Sequence, residues 1–91
     1  MIKVIVLYRE APEPGRYAEH VELTKREVPT ARLEHGRIFG SPAGPPNFQY
    51  VFEFEFEDMD AFRAAGAALQ RLGEDAQSMG VPFEVYFAEV A

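Results

Sequence analysis

Two histidines, one mid-strand glutamate and a set of aromatics are the side chains of this 91-residue sequence best suited to chemistry. His20 stands in GRYAEHVELTKREV, residues 15–28. There Tyr17, Val21 and Val28 fall at i, i+4 and i+11, with Thr24 in the i+7 place. At about 100° per residue, His20 lies roughly 60° from Tyr17 and roughly 60° from Leu23, inside the arc that an amphipathic helix turns toward its sheet. Imidazole is the side chain whose ordinary titration lies near neutrality. Partly buried beside an acid, it suits the role of general base on an acidic C–H or phenolic proton. The plainer reading is a histidine at the core edge that bonds a backbone carbonyl or water and only packs. At this level both readings stay open.

The other candidates are weaker. His35, beside Gly36 and Arg37, reads as a solvated residue on an edge strand. The two histidines show neither HxH nor HxxxH spacing, so no metal site is expected. Glu53 is a candidate proton donor or acceptor if water is excluded from it, and otherwise a salt-bridged or hydrated carboxylate. Tyr8, Tyr17, Phe52, Phe54 and Tyr86 could line a pocket for a planar ligand, although aromatics on a core face are usually core. GSPAGPP, residues 40–46, lacks the spacing and the following helix of a nucleotide loop, and no nucleophile elbow is present. No cofactor is expected.

The elements that would position these residues follow from hydrophobic periodicity. Residues 2–9, IKVIVLYR, form a strand that is apolar on both parities, hence central. EAPEPG breaks it; Pro14 suits the first turn of the helix over 15–28, and Pro29 ends that helix near Val28. LEHGRIF, 33–39, is a weaker strand in which Gly36 marks a bulge or an edge, and GSPAGPPN is a loop. Residues 48–57 alternate almost without exception, with Tyr50, Phe52, Phe54 and Phe56 on one parity and Val51, Glu53, Glu55 and Glu57 on the other. Asp58 or Asp60 caps a second helix with the stripe Phe62, Ala65, Leu69, Leu72, and Gly73 is placed to end it. EDAQSMG, 74–80, reads as a short turn plus loop, and PFEVYFAEV, 82–90, as the last strand. The order β-α-β-β-α-β predicts one α+β domain over residues 1–91, with the ferredoxin-like topology. Both helices lie on one face of a four-stranded antiparallel sheet, and strands one and three are central.

That topology leaves the other sheet face uncovered. Ile5 and Leu7, or else their even-numbered neighbours, would lie exposed beside Val85 and Phe87 or beside Tyr86 and Ala88. Four or five such side chains, at about 1.5–3 kcal/mol each for full burial, mark an interface. A second copy of the chain is the simplest cover, giving a dimeric α+β barrel with twofold symmetry. The Phe parity of 50–56 is then expected under the helices. The Glu parity is expected toward the partner or the barrel rim, paired with Arg9 and Arg37.

Composition narrows the rest. Fifteen acidic against nine basic side chains give a net charge of −6, with no basic stripe for phosphates, so no nucleic acid partner is expected. The longest apolar run, Val4 to Tyr8, cannot span a bilayer, so no membrane partner is expected either. The N-terminus reads as a strand rather than a leader, which together with the absence of cysteine points to the cytoplasm. Lacking disulfides, a core of this size depends on good packing and self-association.

Several of these stretches together resemble the EthD-like family of the dimeric α+β barrel superfamily. They are the opening strand MIKVIVLY, the helix with Tyr17-x-x-His20, the loop GSPAGPP before the strand end FEFED, and the closing VYFAEV. The resemblance covers essentially the whole chain. It implies a ferredoxin-like homodimer related to cofactor-free monooxygenases, isomerases and decarboxylases that act on aromatic, polyketide-like or lactone substrates. The family helix reads F-x-x-H-Y-x-x-x-H. Here Tyr17 stands for the Phe and His20 matches, while Val21 replaces the Tyr and Lys25 stands where the second His is expected.

Of three functions, two fit. One is a cofactor-independent enzyme on a small aromatic or enolisable substrate, with His20 as base and Tyr17, Thr24, Phe52 and Phe54 around the substrate. Another is a non-catalytic accessory protein that binds a hydrophobic metabolite. A haem protein with His20 as axial ligand needs a larger pocket than a domain of this size offers.

Overall fold

The computed structural model describes residues 1–29 and 31–91. Period-two patterning becomes a sheet whose even-numbered parity is the buried one. In β1 (Ile2–Tyr8), residues Ile2, Val4, Val6 and Tyr8 are buried while Lys3, Ile5 and Leu7 are half-buried. In β3 (Tyr50–Phe56), Phe52, Phe54 and Phe56 are buried, as the alternation requires. Neighbouring rings in that column meet edge to face at 6.0 and 5.8 Å. β1 pairs antiparallel with both β3 and β4 (Phe83–Glu89), and β3 pairs with β2 (Arg32–Arg37), so the sheet order is β2-β3-β1-β4. The predicted ferredoxin-like arrangement is the one observed, with β1 and β3 central and the helices on one face. Pairing through Gly36 is regular, so β2 is an edge strand without a bulge.

α1 (Pro14–Glu27) starts where Pro14 and a capping side chain coincide: the Glu13 carboxylate accepts from Gly15 N at 2.9 Å and Arg16 N at 2.7 Å. It ends at Val28, whose extended φ of −131° is what the following Pro29 favours. After β3, the Asp58 side chain accepts from Ala61 N at 2.8 Å and caps α2 (Met59–Ala64); Asp60 does not cap. The stripe 62–72 is not one helix. The chain breaks at Ala65, φ −90° and ψ 10°, and restarts as α3 (Gly66–Ser78).

The sequence reading ended that helix too early. Gly73 lies inside α3 rather than beyond it, and residues 74–78 continue the helix. The terminating residue is Gly80, whose φ of +73° is the left-handed conformation that follows a helix end. The two glycines therefore carry opposite expectations. A Cβ at Gly73 meets nothing within 4 Å, so Gly73→Ala should stabilise by about 1 kcal/mol through helix propensity. Gly80→Ala should destabilise by about 1–2 kcal/mol through backbone strain. Chemical denaturation of both variants checks the pair, and shifts of the same sign would contradict this helix end.

On the uncovered face, the register puts Ile5 opposite Tyr86 and Lys3 opposite Ala88. The apolar side chains left open are therefore Ile5 and Leu7 with Tyr86 and Ala88, beside Val51 of β3. The expected partners of the glutamates need correction. Glu53 and Glu55 pair with Lys3, at 3.3 and 3.5 Å, because Lys3 lies directly opposite Glu55 and one step from Glu53. Arg37 is in register with Tyr50, which puts it on the helix side, away from the glutamates. Arg9 pairs instead with Glu84 on β4.

Candidate active site

α1 and α3 lean over β1 and β3 and leave β4 only partly covered. Val85 and Phe87 share the inner parity, yet are 42% and 62% exposed. The space between these helices and the sheet is a cleft of about 320 Å³. Phe52, Phe54 and Tyr8 line its sheet side, α1 contributes His20 and Thr24, and Val85 and Phe87 stand at its β4 side.

A polar cluster beside the cleft joins the two helices. His20 and Arg16, one turn apart on α1, both turn toward α3, where Asp75 sits three residues beyond the buried Leu72. His20 Nδ1 is 2.7 Å from Asp75 Oδ2, and Arg16 Nη2 donates to Asp75 Oδ1 at 2.6 Å. Arg16 also donates to the Asp75 backbone carbonyl at 3.2 Å. The Arg16 hydrogen bond holds the Asp75 carboxyl below the usual carboxylate range. Partial burial opposes this, and the His20 hydrogen bond adds to it. An ionised carboxylate only accepts, so Nδ1 carries the ring proton and donates it. In the neutral ring Nε2 then keeps its lone pair.

Nε2 also has room to work. Among the described residues the only fully enclosed side-chain polar atoms without a hydrogen bond are the Tyr8 and Tyr17 hydroxyls. Among the described residues Nε2 has no hydrogen-bond partner and is not one of these enclosed atoms, and the imidazole that carries it lines the cleft. The rest of the imidazole is buried, with its ring 5.4 Å from the Phe52 ring. The arrangement is an imidazole oriented by a carboxylate at the edge of an apolar cavity, the geometry that general-base chemistry requires.

Of the residues singled out in the sequence, His20, Thr24, Phe52 and Phe54 meet at this cleft. The Thr24 hydroxyl donates to the His20 backbone carbonyl at 2.9 Å, so it braces the helix turn beneath the imidazole. Tyr17 does not line the cleft; it packs behind it, edge-on to Tyr8 at 6.1 Å and to His35 at 5.6 Å. His35 is exposed on the edge strand and stacks on Phe52. Glu53 lies on the opposite sheet face with Lys3, and Tyr86 lies there too. Lys25 is exposed and pairs with Glu22 at 3.3 Å, so the family's second histidine position points away from the cleft in this chain.

Asp75 and Arg16 were not singled out from the sequence. The available signal was helical period: carried through Gly73, the stripe Leu69, Leu72, Ala76 places Asp75 at its edge, facing α1. Since folding lowers the Asp75 pKa, its contribution to stability is present above the ordinary carboxylate pKa. That contribution is lost as pH falls through the lower folded value.

No family model matches the sequence, and no curated protein matches it. Solved structures do. An EthD family protein from Bacillus halodurans C-125 superposes with a TM-score of 0.74 at 26% identity, covering 100% of this chain and 99% of that one. The chain resembles EthD family proteins over its whole length. A dimeric ferredoxin-like protein of unknown function from Jannaschia sp. CCS1 matches the EthD-like fold with a TM-score of 0.76 at 19% identity, covering 98% of each chain. SnoaB, a cofactor-independent oxygenase from Streptomyces nogalater, matches with a TM-score of 0.62 at 17% identity, covering 98% of this chain and 91% of that one.

Proposed function

We propose that this EthD-like chain is a homodimeric, cofactor-independent enzyme. It takes a small aromatic or enolisable molecule into the helix–sheet cleft and removes a proton from it with His20. The observation that carries this reading is the Asp75–His20 pair, which engages Nδ1 and leaves Nε2 without a hydrogen-bond partner on a residue that lines an apolar cavity. A carboxylate behind Nδ1 fixes the tautomer and stabilises the imidazolium that forms when Nε2 accepts a proton. The mainly apolar walls favour a flat, apolar substrate. The volume of about 320 Å³ lies at the low end of small-molecule sites. The Streptomyces nogalater oxygenase, which shares this fold, supports chemistry without a cofactor, and the dimeric Jannaschia protein supports the assembly.

α-Tetralone, an aromatic ketone with an acidic C–H beside its carbonyl, is the test substrate. In deuterated buffer the protein is expected to accelerate exchange of that hydrogen, followed by proton NMR, and His20→Gln to remove the acceleration. General-base catalysis of this kind contributes about 10²–10⁴-fold. Binding of tetralone with exchange no faster than in buffer would favour the accessory, ligand-binding reading instead.

A further inference from the structure

Two buried hydroxyls, those of Tyr8 and Tyr17, lack a hydrogen-bond partner among the described residues, and of the two residues only Tyr8 lines the cleft. Tyr8 is fully buried, at 0% exposure, yet its Oη has no hydrogen-bond partner. Buried hydroxyls are nearly always paired, and leaving one unpaired costs about 1–3 kcal/mol. A phenylalanine would fill the same space without that penalty. The ring is well fixed, with Tyr17 edge-on at 6.1 Å and Phe83 tilted at 5.9 Å. Tyr8 lines the same cleft as His20.

We propose that the Tyr8 hydroxyl is the hydrogen-bond donor for the anionic oxygen of the molecule held in the cleft, which identifies the substrate class as small, largely apolar carbonyl compounds with an acidic neighbouring C–H. This rests on the reading of His20 as base and deepens it. In the step so defined, the C–H bond breaks and His20 Nε2 takes the proton. The bonding pair becomes a C=C bond, the carbonyl π pair moves to oxygen, and Tyr8 donates a hydrogen bond to that oxygen while keeping its own proton. Return of a proton to carbon reverses the step, so no oxidant or reductant is needed. Burial raises the Tyr8 pKa, and the neighbouring Tyr17 hydroxyl and Asp75 carboxylate raise it further. Tyr8 therefore stays a neutral donor at working pH and does not compete with His20 as a base. Donor and base act on the two ends of one enolising unit, O–C–C–H, in a water-poor site where hydrogen bonds to developing charge are strongest.

Tyr8→Phe tests the assignment, because it removes one unpaired oxygen and nothing else. Its thermal midpoint is expected to equal or exceed that of the wild type, which separates the result from misfolding. Tetralone exchange is expected to fall by about 10²-fold, the loss typical of one oxyanion donor. Binding of 4-nitrophenolate, followed by its absorbance, is expected to weaken by about 10- to 100-fold, the range for a hydrogen bond to a charged group. If Tyr8→Phe exchanges tetralone and binds 4-nitrophenolate as the wild type does, while His20→Gln no longer exchanges, the Tyr8 assignment is overturned and the base stands. If the wild type binds 4-nitrophenolate through Tyr8 but shows no exchange, the donor assignment stands and the base is overturned.

Discussion

Asp75→Asn is expected to slow tetralone exchange by about 10²–10⁴-fold while the protein stays folded. The substitution is nearly isosteric, so its effect is chemical. Asp75 accepts from Nδ1 at 2.7 Å and receives Arg16 at 2.6 Å. An amide at this position must accept from Arg16 with its one oxygen and so turns its NH2 toward His20. Nδ1 then becomes the acceptor and the ring proton moves to Nε2, the atom that has to be bare. A purely structural role for Asp75 predicts a less stable protein with an unchanged tautomer. The ring-nitrogen chemical shifts of His20 decide between these: a proton on Nδ1 in the wild type and on Nε2 in the variant is the expected pair. The stability loss is expected to be about 1 kcal/mol, since the pair is partly solvated. It should fade as pH falls through the folded-state pKa of Asp75, where the wild-type carboxyl also loses its charge.

The elements and the site differed in how far the sequence disclosed them, for physical reasons. Alternation fixes a strand's face without any knowledge of its neighbours, so Phe52, Phe54 and Phe56 could be assigned to the core in advance. Helical period placed His20, Thr24 and Val21 inward, and all three are buried. The same rule failed at Gly73, where a propensity argument prevailed over period: glycine is a poor helix former, but tertiary contact by Leu72 and Ala76 carries the helix past it. Losing that last turn meant losing Asp75, and with it the partner of His20. Arg16 was hidden for another reason. Its role depends on how closely α1 approaches α3, and an ion pair between residues 59 positions apart leaves no trace in local sequence. The unpaired Tyr8 hydroxyl is equally silent, because tyrosine at an inward strand position reads as core whether or not its oxygen has a partner. Exposure of Val85 and Phe87 on the helix side depends on how far two helices reach across four strands. Periodicity says which way a side chain points and nothing about what covers it.

Ile5→Lys is expected to turn the proposed dimer into single folded subunits. The residue projects from the centre of the sheet face that no helix covers, opposite both Glu53 and Tyr86. In an isolated subunit an introduced lysine stands in water beside the Glu53 carboxylate, so folding tolerates it. Between two sheets packed face to face it loses its water and removes an apolar contact. Twofold symmetry applies each change twice. Loss of an isoleucine contact worth about 1.5–3 kcal/mol becomes roughly 3–6 kcal/mol per dimer. That corresponds to about 10²–10⁴-fold in the dissociation constant before the desolvated charge is added. Sedimentation equilibrium at micromolar concentration reads the outcome directly. A wild type that sediments as one subunit, or a variant that remains dimeric, would remove this face as the interface. The same variant shows how assembly bears on the site. β1 presents Ile5 and Leu7 to the open face while Val4, Val6 and Tyr8 form the floor of the cleft on the other. A single strand thus carries both the proposed interface residues and Tyr8. If the dimer only shields oily surface, separated subunits should exchange tetralone at the wild-type rate per chain; if it also holds β1 in place, exchange should fall along with association.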